Sequence, residues 1–157
     1  MKVKQKLYIS DKECFDVIVQ SVLYDIKQVK GKTLTLRKLQ GYSYQRTMSN
    51  GALTTTTIEE ITPNSVYRFQ TKGRVNTHTT TYTITPNSEH SCEVEYAETI
   101  TAEATMQKLN NALVGFIFGF FRKRKVKNLL KSIELSVINQ NKEKQKTGQN
   151  VEAPSEK

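Results

Sequence analysis

A chain of 157 residues with a formal charge of +9 is long enough to bury one apolar core without a metal or a disulfide to hold it. Its longest apolar run, residues 112–121, is about half of the ~20 residues that a membrane-spanning helix needs, which argues against a transmembrane protein. Cys14 and Cys92 show no metal-ligand spacing and the first residues lack the apolar run of a leader, so the expectation is a reduced, cytoplasmic protein.

The first predicted element is a strand in which Val3, Leu7 and Ile9 face away from Lys2, Lys4 and Lys6. Ser10 and Glu13 then form a capping box, because hydroxyl and carboxylate can satisfy each other's backbone amides at a helix start. Phe15, Ile18, Val22, Ile26 and Val29 recur at helical spacing, and Gly31 supplies the left-handed residue that ends such a helix. Residues 32–40 fit either a short second helix or a strand.

Five strands are expected from about Gly41 to Thr101, because turn signals interrupt runs rich in Thr, Tyr, Val and Ile. Asn50-Gly51 suggests a type I′ hairpin, and 63–65, 72–74 and 86–88 mark three further turns. The alternating Thr77, Thr79, Thr81, Thr83 and Thr85 read as a solvated sheet face, since threonine combines strand propensity with a polar tip.

From Ala102 to about Ile138 the pattern is helical. Leu109, Leu113, Phe116, Ile117 and Phe120 share one face, while Val126, Leu129, Leu130, Ile133 and Val137 lie on another, turned by roughly 130°. Either the helix breaks near Gly115, Gly119 or the basic run, or its first half is covered on several sides. The expected organisation is one domain over 1–138 and a disordered polar tail over 139–157, whose hydrophobicity is low and aperiodic.

Three stretches, "SVLYDIKQVKGK", "LQGYSYQRTMSNG" and "QKLNNALVGFIFGFFRKRKVKNLLKSIE", resemble a family of bacterial proteins catalogued as a domain of unknown function. The resemblance runs from Met1 to Val137. That family is similar to the START-like superfamily, also called SRPBCC or helix-grip. The resemblance implies an α+β fold in which a curved antiparallel sheet of about six strands packs on a long C-terminal helix, with a cavity between them. It implies binding of an apolar or amphipathic small molecule and carries over no catalytic residue.

Candidate ligand-binding residues follow from the two descriptions together. Leu113, Phe116 and Phe120 form an apolar row that needs a cover and would border the cavity mouth, gated by the glycine-containing segment. Tyr82 and Tyr96 would offer polar tips on the sheet. Arg124, Lys127 and Lys131 continue the phenylalanine face, as in a helix that meets anionic lipid headgroups. The alternative function is accordingly a peripheral membrane or protein-interaction module, and a purely structural domain with a filled core comes third.

The charge is concentrated at the two ends: residues 1–50 carry ten cations and four anions, residues 102–138 seven and two, but residues 51–101 three and six. Nucleic acid is disfavoured as a partner despite "RKRKVK", because zinc-finger spacing, a recognition-helix unit and an RNA-binding sheet motif are missing. Tyr42, Tyr44 and Tyr67 read as strand packing. His78 and His90 have no partner at metal spacing, Glu93 and Glu95 fit a half-exposed strand, and Cys14 reads as a small buried residue. No metal, cofactor or catalytic residue is therefore assigned, and the oligomeric state is left open.

Overall fold

The computed structural model describes residues 1–49, 51–102 and 111–149, and the side chains of all of these but 102, 111–121 and 148–149. In chain order come β1 (Lys2–Leu7), α1 (Asp11–Lys30), a 3₁₀ turn (Leu36–Lys38), β2 (Ser43–Thr47), β3 (Leu53–Thr62), β4 (Val66–Lys72), β5 (Asn76–Ser88), β6 (Ser91–Ala102) and α2 (Asn111–Gln149). The strands form one antiparallel sheet in the order β1-β6-β5-β4-β3-β2. It curves under both helices, as the helix-grip expectation requires.

Local chemistry sets the boundaries of α1. The Ser10 hydroxyl accepts from the Glu13 N–H at 3.2 Å, and the Ser10 N–H donates to Glu13 Oε2 at 3.0 Å. At the other end Gly31 adopts φ 65° and its N–H donates to the Lys27 carbonyl at 2.8 Å, which satisfies one of the last helical acceptors. Between these caps Cys14, Phe15, Ile18, Val19 and Ile26 are buried. The ambiguous segment 32–40 resolves as the 3₁₀ turn, with Leu39 wholly buried beyond it.

Alternation in the strands separates two faces. Lys2 and Lys4 lie outside, paired with Glu95 and Glu93 at 3.1 and 3.2 Å, while Val3 and Leu7 face inward opposite Tyr96 and Cys92. Two irregularities, between Ile58 and Glu60 and between Pro86 and Ser88, bend the sheet. Residues 86–88 are thus not a turn. Proline is tolerated there because β4 stops pairing at Thr83, so the missing N–H breaks no ladder bond on that side. The chain reverses instead at Glu89 and His90.

The hairpin between β2 and β3 also differs from the type I′ expectation. Gly51, at φ 79°, donates to the Met48 carbonyl, and the Met48 N–H donates to the Ala52 carbonyl. These bonds close the hairpin one residue wider than a two-residue turn, with Gly51 in a left-handed conformation, and Asn50 lies outside the described residues. Asn64, at φ 59° after Pro63, occupies the third position of a tight turn closed by Ser65 N–H to Thr62 carbonyl at 3.1 Å.

Helix α2 buries Val126, Leu130, Ile133 and Val137 and packs on β1 and α1. Leu129, expected on the same buried face, is 45% exposed. The polar stretch expected to be disordered from 139 onward begins, over 139–149, as a continuation of α2. Asn141 there donates to Glu13 Oε1 at 2.9 Å, which ties the helix extension to the start of α1. Among the described residues no helix is long and apolar enough to cross a membrane.

Candidate functional site

The inner face of the sheet presents its side chains in rows across the strands. One row runs Ile61, Tyr67, Tyr82, Tyr96, Val3, and the next runs Ile58, Phe69, Thr80, Glu98. A third runs Tyr44, Thr56, Thr71, His78. The aromatic rings touch in series: Tyr67 stacks on Phe69 at 5.3 Å, lies 6.1 Å from Tyr82, and Tyr82 meets Tyr96 edge-on at 5.2 Å. Such contacts fix ring positions, so this floor is preorganised.

Above the floor, α1 and α2 do not close completely. Val17, Ile18, Ser21, Val22 and Asp25 recur at helical spacing on α1, and Leu129, Ser132, Ile133 and Ser136 do so on α2. Serines at three of these positions fill less space than the leucine or isoleucine expected at a helix–sheet contact. A cavity of about 680 Å³ results, floored by Tyr44, Thr56, Tyr67, Phe69, Thr71 and Tyr82. This lies within the size range of small-molecule sites. Tyr24, Met48 and Leu129 also line it and are 65%, 47% and 45% exposed, so they mark its opening.

One charged pair stands at this opening. Arg46 Nη1 lies 3.0 Å from Asp25 Oδ1, and the Tyr44 hydroxyl donates to Asp25 Oδ2 at 2.9 Å. Burial, reinforced by the bond to Asp25, pushes the Tyr44 phenol well above its ordinary pKa. Burial acts in the same direction on Tyr67 and Tyr82, so all three phenols are protonated donors at neutral pH.

The sequence-derived candidates fall in different places. Tyr82 lies on the cavity floor, whereas Tyr96 does not line the cavity and instead buttresses Tyr82. The side chains of Leu113, Phe116 and Phe120, and Gly115 and Gly119 between them, lie outside the described residues. Arg124, Lys127 and Lys131 are exposed on α2, but Lys131 is committed to an ion pair with Glu134. Tyr44, Tyr67, Phe69, Asp25 and Arg46 were not among the candidates. Strand parity places the aromatic residues on a common face, but only the register across strands aligns them.

A second polar group was equally hidden. His78 Nδ1 lies 3.2 Å from Glu98 Oε1, and Arg122 from α2 pairs with the same carboxylate. These three clamp the helix to the inner face of β5 and β6. Cys14 and Cys92 are both fully buried free thiols in contact with each other, and the hydrogen bond to Cys92 together with burial pushes the Cys14 thiol up. No cluster of His, Cys, Asp or Glu among the described residues could hold a metal ion.

Solved structures share this architecture at low sequence identity. A START superfamily protein from Mycobacterium smegmatis gives a TM-score of 0.54 at 10% identity, covering 88% of this chain and 97% of that one. Norcoclaurine synthase from Thalictrum flavum, in complex with dopamine and hydroxybenzaldehyde, gives 0.59 at 10% identity, covering 88% and 86%. A conserved protein from Geobacillus kaustophilus gives 0.53 at 16% identity, covering 86% and 95%. The fold is therefore START-like. Among curated proteins none matches the chain. Residues 1–119 match the model of a domain of unknown function, DUF3284, and a match over that much of the sequence makes this chain a member of the DUF3284 family.

Proposed function

We propose that the protein binds a small molecule with an apolar body in the cavity between the sheet and the two helices. The observation that carries this reading is the 680 Å³ cavity with a fixed aromatic floor and a half-exposed apolar rim. Burying apolar ligand surface there contributes about 25 cal/mol per Å² before the costs of ordering. The fold is consistent with such a role, since a structural neighbour holds two small aromatic molecules. Leu113, Phe116 and Phe120 belong to this proposal as residues bordering the mouth, and the site works by binding without chemistry.

Native mass spectrometry of protein purified from the cells that make it, followed by organic extraction, tests the reading. A stoichiometric apolar passenger is expected. A clean apo mass, together with no binding of the neutral fluorophore N-phenyl-1-naphthylamine, would overturn it.

A second reading rests on the outer face of α2. Arg124 and Lys127 have no ion-pair partner among the described residues, and Leu135, further along the same side of the helix, is 48% exposed. Cations on the same helix side as an exposed leucine suit an anionic membrane surface.

A further inference from the structure

Tyr67 and Tyr82 are 5% and 9% exposed, lie directly opposite each other on β4 and β5, and both line the cavity. Neither hydroxyl has a hydrogen-bond partner among the described residues, and neither oxygen is sealed from the cavity space. Tyr44, the third buried phenol of the floor, differs because its hydroxyl is already spent on Asp25. The floor's threonines, Thr56 and Thr71, also bond to each other at 3.3 Å. Two donors left open on such a floor are costly to cover with hydrocarbon, because a buried donor without an acceptor loses its hydration for nothing.

We propose that Tyr67 and Tyr82 form a paired donor site for the carbonyl oxygen of an otherwise apolar, uncharged ligand. A carbonyl offers two lone pairs to two donors. Its neutrality follows from the rim: the charged residues lining the cavity, Asp25 and Arg46, neutralise each other and leave no counter-ion for a buried charge. Burial keeps both phenols protonated, so they donate and do not accept in ionised form. This assignment rests on the cavity being a binding site, and it names the chemical class that the cavity takes.

The test uses the full chain and displacement of N-phenyl-1-naphthylamine by two compounds of the same shape, benzophenone and diphenylmethane, which differ by a carbonyl against a methylene. Benzophenone is expected to displace the probe at roughly tenfold lower concentration than diphenylmethane. In the Tyr67→Phe, Tyr82→Phe double variant the two compounds should become equivalent, with diphenylmethane itself unchanged. The single variants should each lose several-fold of the preference, which keeps the test decisive if the double variant unfolds.

Equal displacement by both compounds in the unmodified protein would overturn the donor pair while leaving the cavity standing. A preference that survives in the Phe variants would assign it to other residues and overturn it as well. Failure of the probe itself to bind would remove the cavity reading and this inference with it.

Discussion

The backbone N–H of Tyr8 donates to Oε1 of Glu134 at 2.7 Å, so a carboxylate on α2 terminates the chain's exit from β1. Glu134 is 1% exposed, and its other oxygen is held by Lys131. Burial opposes charge on this carboxyl, but the Lys131 ammonium and the Tyr8 N–H outweigh it and hold the pKa below the ordinary value. Glu134→Ala leaves the Tyr8 donor without an acceptor and should cost about 2 kcal/mol in urea unfolding. The contribution is present above the unfolded carboxyl pKa and is lost as pH falls through the folded one, so the difference between wild type and variant should shrink in acid.

The phenols give the opposite sign. Tyr44, Tyr67, Tyr82 and Tyr96 are all raised, chiefly by burial. Their contribution to stability is complete below the unfolded pKa of about 10 and is lost as pH rises towards the folded values. Absorbance at 295 nm should therefore show these four of the seven tyrosines ionising only as the protein unfolds in alkali. Full reversible titration near pH 10 with retained circular dichroism would contradict this.

Cys14 and Cys92 should react slowly with Ellman's reagent in the native protein at pH 8 and rapidly in denaturant. Both are 0% exposed, and only a thiolate reacts. Native rates like those of a free thiol would mean that the cysteine core opens on the timescale of the assay.

On the placement proposed above, Phe116→Ala combined with Phe120→Ala should weaken probe binding at least tenfold, with little change in melting temperature. Retained affinity would remove these residues from the site. Tyr82→Phe provides the contrast, since it leaves apolar packing intact.

Sedimentation with anionic vesicles should be salt-sensitive, falling between 50 and 300 mM salt by roughly the amount that Debye screening predicts. Arg124→Gln with Lys127→Gln should remove most of it. Binding that survives both changes would leave the outer face of α2 without this role.

Much of the architecture was legible because its signals are local. Ser10 with Glu13 and Gly31 bracket α1 through bonds within four residues, and the period of two in β1 and β5 needs no knowledge of neighbours. Pro86 misled because its meaning depends on where β4 stops pairing, which lies elsewhere in the chain. The extension of α2 past Ile138 was missed because its anchor, Asn141 to Glu13, spans most of the sequence. The site was least legible. Tyr82 could be placed on a strand, but its neighbour Tyr67 is chosen by register, and the room above both comes from serines whose smallness matters only once two helices face each other.

The pairing of β1 with β6 has a consequence for synthesis. Met1 and Glu98, joined through their backbones at 2.8 Å, mark a strand that is synthesised 97 positions ahead of the residue it pairs with. The sheet cannot be completed as the chain lengthens; β1 and the apolar side of α1 must wait exposed, or be held by a chaperone. Closing so long a loop late makes folding slow relative to proteins of similar size built from local contacts. A break in translation within β6 would leave a product whose β1 has no complete partner and whose cavity lacks the wall that α2 supplies.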